Sequence, residues 1–202
     1  MITAFVACMD NKSDLPIRGN GKTCAMTGYA YLNFREGKKI YTNYHTDFSE
    51  IMGFQKMINT LGDRKQHPDT IMCVTEMGKL LNSLGSETHK ALFVENFVRQ
   101  LRKLKLTLYY DDQRFMNVHK RLRIHTDMVF VLEKHHLDNS FCYNDLCQKE
   151  HIIDVLSEIP FKQNRIRAFY ASEVGKHYDS DEFIVDELIV PKRKDLPIED
   201  VV

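Results

Sequence analysis

Ile2-Thr-Ala-Phe-Val-Ala-Cys8, then Pro16-Ile-Arg-Gly-Asn-Gly-Lys-Thr23, then Ala25, Tyr29 and Leu32 at helical spacing: this stretch decides the fold. The first run is apolar and β-branched enough to be a buried strand, and the last is one face of a helix that Gly37 can end in a left-handed turn. Between them stands Gly21-Lys22-Thr23. A phosphate needs backbone N–H groups converging at a helix N-terminus, an ammonium for the β and γ oxygens, and a hydroxyl for Mg²⁺. Those three residues supply the parts. The fit to G-x-x-x-x-G-K-[ST] departs at Pro16, which stands where the first glycine belongs and cannot easily take positive φ. As a bare tripeptide, Gly-Lys-Thr also fits an ordinary loop-to-helix junction; its place after a strand and before a helix favours the phosphate reading.

Working outward, short apolar runs alternate with longer segments of helical period. Strands are predicted at Ile2 to Cys8, Lys39 to Tyr44, Thr70 to Thr75, Leu106 to Tyr110 and Met128 to Leu132, all in one sheet. The fold class is therefore α/β, with parallel strands joined by crossover helices. The longest helix is expected from Ser86, as N-cap, to Leu104, carried by Leu92, Val94, Phe97, Val98 and Leu101. A further helix is expected at Ile152 to Glu158 and a strand at Arg167 to Tyr170. One domain is expected over 1–190, with 191–202 as a loosely held tail rich in charge and proline.

The 202 residues carry 28 basic and 28 acidic side chains, so any DNA contact must come from local patches rather than from overall charge. Lys162, Arg165 and Arg167 are candidates for such a patch, although a solvated charged face is the plainer reading of them. The five cysteines are odd in number and mostly lie in apolar runs, which suits a reduced setting. No apolar run reaches the roughly 18 residues of a membrane span, so a soluble protein without membrane contact is expected.

Thr70-Ile-Met-Cys-Val-Thr-Glu76 is a buried-strand run ending in a carboxylate. Glu76 is the candidate general base and a candidate metal contact, against the plainer reading of a surface glutamate. Many P-loop enzymes carry Asp-Glu at such a strand end. Here Thr75 precedes Glu76, so contact through the first acid is lost or passes through the threonine hydroxyl and water. Tyr109-Tyr-Asp-Asp-Gln113 ends the fourth strand and places Gln113 as a candidate γ-phosphate sensor or water holder, if that strand lies beside the phosphate loop. Among Arg99, Arg102, Arg114, Arg121 and Arg123, Arg102 and Arg121 are the first choices for a finger reaching a neighbouring subunit's phosphate; most arginines at helix ends are simply solvated. His135, His136, Cys142, Cys147 and His151 match no paired C-x₂-C arrangement, and no metal centre is predicted there.

Taken together, Gly19-Asn-Gly-Lys-Thr23, Lys39-Ile-Tyr-Thr-Asn-Tyr44, Val74-Thr-Glu-Met-Gly-Lys-Leu-Leu-Asn-Ser83, Gln100-Leu-Arg-Lys103, Asp112-Gln113, His119-Lys-Arg-Leu-Arg123 and Val174-Gly-Lys-His-Tyr-Asp-Ser-Asp-Glu182 resemble the HerA/FtsK superfamily. The nearest branch resembles the small genome-packaging ATPases of turreted icosahedral archaeal viruses, with filamentous-phage assembly proteins of the zonular occludens toxin type as relatives. The resemblance spans roughly residues 1 to 185. It implies a RecA-like P-loop NTPase core with helices on both faces of a mainly parallel sheet, ATP and Mg²⁺ as cofactors, and a homo-oligomeric ring, usually a hexamer, that translocates double-stranded DNA. It further implies Gly19, Asn20, Gly21, Lys22, Thr23 and Cys24 around the nucleotide, Thr23 and Glu76 at the metal, and Glu76 with Gln113 in catalysis. Capsid vertex proteins are candidate partners, and the host cytoplasm or the virion is the expected location. A filamentous-phage-type assembly ATPase, a small-molecule kinase, and an assembly protein that binds ATP and barely hydrolyses it are the alternatives.

Overall fold

The structure is a computed structural model that describes residues 1–9, 20–62, 66–82, 89–142, 147–160, 162 and 165–178. Among these, eight strands form one sheet in the order β3-β2-β4-β5-β1-β6-β7-β8. The strands are β1 (Ile2–Cys8), β2 (Lys39–Thr42), β3 (Glu50–Ile51), β4 (Thr70–Val74), β5 (Leu106–Arg114), β6 (Met128–His136), β7 (His151–Ile159) and β8 (Arg167–Tyr170). From β3 to β6 every pairing is parallel. The last two strands join antiparallel. The helices are α1 (Lys22–Arg35), α2 (Phe54–Leu61), α3 (Met77–Asn82), α4 (His89–Gln100), α5 (Lys120–Arg123) and α6 (Ala171–Gly175).

The central strands are buried on both faces, which is why they read as continuous apolar runs. Alternation along β1 divides the core in two. Ile2, Ala4 and Val6 pack with Met57, Ile58, Phe97 and Leu101 from α2, α4 and the turn after α4. Phe5 points the other way, toward Ala25 and Met26 of α1. There its ring meets Tyr29, Tyr109 and Phe130 at centroid distances of 5.5, 5.6 and 5.3 Å, tilted or edge-on. Helices thus cover both faces of a mostly parallel sheet, as expected for the α/β class.

All five predicted strands are present, together in that sheet. β2 and β4 stop slightly short of the predicted ends, whereas β5 and β6 run four residues further. Gly37 adopts φ 88° just past α1, the predicted left-handed stop. The long helix is shorter than predicted: α4 ends at Gln100 and Leu101–Leu104 continue as turns, with Leu101 N–H bonding the Phe97 carbonyl at 3.1 Å. Its predicted cap, Ser86, lies outside the described residues, as do Pro16 and the tail 191–202.

One expectation is overturned. Ile152 to Glu158 is not a helix but the body of β7, whose burial alternates residue by residue. The buried set is His151, Ile153, Val155 and Ser157. Because polar residues stand at both ends of that set, the two-residue period is blurred, while Ile152 and Leu156 sit four apart and imitate a helical face.

Candidate active site

β1 delivers the chain to the end of the sheet at which α1 begins, and β5 lies between β1 and β4, so all three strands converge on one cleft. Its volume is about 480 Å³, and its walls include Lys22, Thr23, Glu76, Asp111, Gln113 and Asn117.

α1 opens on Gly21, which sits at φ 77° and ψ 23° with no side-chain cap and no acid in the first turn. The first amides of α1 are therefore uncapped by side chains, and the positive end of the helix dipole faces the cleft with no acid in its own first turn. The left-handed conformation suits glycine. Space does too, since a Cβ there would lie 2.5 Å from the Ile153 side chain on β7.

A carboxylate that the strand reading passed over organises the cleft. Asp111 on β5 is fully buried, level with Phe5 of β1 in the parallel register. The Thr23 hydroxyl donates to its Oδ2 at 2.6 Å. The Thr75 hydroxyl reaches both oxygens, at 2.9 and 3.1 Å, and the Glu76 N–H donates to Oδ1 at 2.9 Å. Burial pushes the Asp111 carboxyl above its ordinary value, opposed by the nearby Lys22 ammonium and by these hydrogen bonds. The missing acid before Glu76 is thus matched by one on the adjacent strand, with Thr75 bridging the two. Asp111 lies one residue beyond the strand end predicted at Tyr110, where an acid reads as the start of a loop.

Asp112 faces the other side of β5. It accepts from the Gly78 N–H at 2.6 Å, at the start of α3, and from the Arg114 N–H at 3.2 Å. Burial raises this carboxyl as well, against the amide bonds that lower it. Asn43, just past β2, fixes Thr75: its Oδ1 accepts from the Thr75 N–H at 2.8 Å, and its amide donates to the Thr75 carbonyl at 3.4 Å.

Glu76 leaves β4 at φ 56°, a left-handed backbone for a non-glycine residue. Such conformations cost about 1–3 kcal/mol and persist where surrounding contacts enforce them. Here the Glu76 N–H donates to the Asp111 carboxylate, and the Glu76 side chain stands half-exposed at the cleft, paired with Lys79. Gln113 is exposed on the same cleft, and its strand β5 pairs directly with β1.

The remaining predicted site residues fall differently. Asn20 stands half-exposed just before the αL turn, and Gly19 lies outside the described residues. Cys24 turns its thiol into the core, where burial pushes its pKa up to about 12. Only its backbone amide, in the first turn of α1, is available to an anion. Arg102 is exposed and pairs with Asp127 at 3.0 Å, and Asp127 in turn accepts the Ile2 N–H at 2.8 Å. That is the opposite end of β1 from the cleft, roughly 20 Å away at the usual rise of a strand. Arg121 on α5 pairs with Glu95, which also binds Arg99 at 2.6 Å. Neither arginine lines this chain's own cleft. Of the candidate DNA contacts, Arg165 pairs with Asp154 at 2.7 Å and Arg167 lies over the Tyr29 ring, 5.5 Å from its centre.

No protein-family model matches the chain, and no curated protein matches it. Among solved structures, the N-terminal domain of zonular occludens toxin from Neisseria meningitidis is similar, with a TM-score of 0.46 and 14% identity over 88% of this chain and 98% of that one. Among the described residues, no helix is long and apolar enough to cross a membrane.

Proposed function

We propose that this chain is a P-loop NTPase with a RecA-like core, that it hydrolyses ATP in this cleft, and that it does so as a homo-oligomeric ring translocating double-stranded DNA during viral genome packaging. One observation carries the enzymatic part: the hydroxyls of Thr23 and Thr75 and the amide of Glu76 meet on the buried Asp111 carboxylate, directly below the uncapped N-terminus of α1.

The donor set suits Mg²⁺, because the polar groups there are carboxylate and hydroxyl oxygens, the ligands a hard cation takes. Thr23 and Asp111 would hold the ion, with Glu76 across the cleft from them. Bound there, Mg²⁺ would neutralise charge on the β and γ oxygens. The rest falls to the chain itself. The first amides of α1 and the Lys22 ammonium bind and orient the phosphates. Glu76 takes the proton of the attacking water, and Gln113 orients that water or reads the γ-phosphate. Asp111 would supply the carboxylate for the metal that the strand of Glu76 lacks at Thr75.

The motor part rests on the resemblance to HerA/FtsK proteins, supported by the strand inserted between the loop strand and the acid strand. To act as fingers on a neighbour's phosphate, Arg102 and Arg121 would exchange their partners within the chain, Asp127 and Glu95, for that phosphate. DNA would be held through its phosphates, so binding should be salt-dependent and sequence-blind. Calorimetric titration of ATP·Mg into native chain and Lys22→Ala, followed by hydrolysis assays with and without duplex DNA, tests both parts. Heat from the native chain alone and DNA-stimulated turnover are expected. Hydrolysis indifferent to DNA would discard the motor, and no heat from the native chain would discard the nucleotide site.

A further inference from the structure

At the far end of the β6–β7 hairpin, two histidines and two cysteines converge. His136 ends β6 and His151 begins β7, and the antiparallel register sets them directly opposite each other. Residues in such a pair share a face of the sheet. Their rings lie 4.8 Å apart between centroids. After His136 the chain turns tightly and runs back along β6, with the His136 N–H bonded to the Ser140 carbonyl at 2.8 Å and the Cys142 N–H to the Lys134 carbonyl at 3.2 Å. The bridge between His135 and Phe141 fixes this register, which puts Cys142 opposite Lys134 and therefore on the face that His136 also occupies. Cys147, on the return toward β7, completes the group. One ligand atom from each of the four residues lies within 4.8 Å of all the others. His135 is excluded by the same alternation; it points to the opposite face, near Glu133 and Asp154.

Two features make this cluster a candidate for holding an ion. Nδ1 of His136 and Nε2 of His151 are both buried without a hydrogen-bond partner, which costs about 1–3 kcal/mol for each group unless something binds them. Cys142 and His151 are themselves almost wholly buried, while His136 and Cys147 are half-buried, so the group closes inward rather than standing in water.

We propose that His136, Cys142, Cys147 and His151 form a tetrahedral structural zinc site that staples the β6–β7 hairpin. Two thiolates and two neutral imidazoles carry the charge that balances Zn²⁺, and this soft-to-borderline donor set discriminates against the hard Mg²⁺ of the ATP cleft. Tetrahedral bonds of about 2.0–2.3 Å bring ligand atoms to roughly 3.3–3.8 Å from one another, so closure from the present arrangement takes a shift of about 1 Å. Four protein ligands leave no open position, which makes the site structural rather than catalytic. Metal uptake expels the two thiol protons to solvent. The lack of a paired C-x₂-C arrangement does not count against this site, because its ligands are assembled by strand register and a folded-back turn rather than by a knuckle that a linear motif search requires. Ile153, two residues along the same face of β7, backs Gly21, so the staple also secures the wall behind the phosphate loop.

The test uses the full chain purified without chelator. Elemental analysis should find about one zinc per chain. Replacement by Co²⁺ should give the intense visible ligand-field bands of a tetrahedral site with a thiolate charge-transfer band. Cys142→Ser and His151→Asn should each weaken Zn²⁺ binding at least ~10-fold, whereas His135→Ala should keep the full complement. If the cysteine variant fails to fold, thiol titration of the native chain decides: two thiols should become reactive only on adding chelator. A native chain that takes up neither Zn²⁺ nor Co²⁺, a Cys142–Cys147 disulfide in the reduced preparation, octahedral Co²⁺ bands, or metal loss in His135→Ala would each overturn the site.

Discussion

Asp111→Asn separates metal binding from folding at the proposed ATP site. In the native chain the carboxylate receives three donors, from Thr23, Thr75 and Glu76. Asparagine keeps the shape and one acceptor oxygen, enough for the Glu76 amide, while its NH₂ can donate to a hydroxyl that rotates to accept. The fold should therefore change by no more than about 1 kcal/mol. Alanine would be a poor choice, because it strands those buried donors. What asparagine removes is the charge. A charge-assisted contact is worth about 1.5–3 kcal/mol, so Mg²⁺·nucleotide affinity should fall roughly tenfold to a hundredfold. Calorimetry with a non-hydrolysable ATP analogue, run once with Mg²⁺ and once with chelator, reads this directly. The variant should match the native chain in chelator and fall behind only with the metal. Equal affinities under both conditions, or an equal loss in both, would refute the assignment of Asp111 to the metal.

Glu76→Gln should bind ATP·Mg within about twofold of native yet slow single-turnover hydrolysis by roughly 10²–10⁴, the usual contribution of a general base; unchanged turnover would remove Glu76 from that role. Gly78→Ala places a Cβ 2.3 Å from the Asp112 carboxylate oxygen that its own amide bonds, and should cost about 1–3 kcal/mol in denaturant unfolding, against no measurable change if the α3 start can shift freely. For pH, Asp111 and Asp112 both hold their protons to higher pH in the native chain than when unfolded. The native state therefore binds more protons from about pH 4, the ordinary carboxylate value, up to the raised values, and stability in the absence of ligand must fall as pH rises through that window. Denaturation midpoints across a pH series should show a shallower fall for Asp111→Asn than for native chain; parallel curves would contradict the cause given for the shift.

What the sequence disclosed and what it hid follow from the same physics. Doubly buried parallel strands such as Ile2–Cys8 and Thr70–Val74 announce themselves because every position is apolar. The loop-to-helix junction is legible because glycine, which alone takes the φ of 77° at position 21 without strain, stands between a strand and a helix. β5 was read as ending at Tyr110 because charged residues usually mark a strand end, yet Asp111 and Asp112 stay inside it, each compensated by donors from a different strand or helix. No linear pattern encodes those donors, so the residue that ties the cleft together stayed hidden. The His/Cys cluster was hidden likewise: its members are brought together by a register between β6 and β7, and β7 itself imitated a helix.

A crystal structure of the chain with Mg²⁺ and a non-hydrolysable ATP analogue would show whether this cleft holds the nucleotide. The β and γ phosphates should lie on the Gly21–Cys24 amides and Lys22, with the metal touching Thr23 and held in place by Asp111, and Glu76 facing the γ-phosphate. A nucleotide bound elsewhere, or a metal remote from Thr23 and Asp111, would contradict this arrangement.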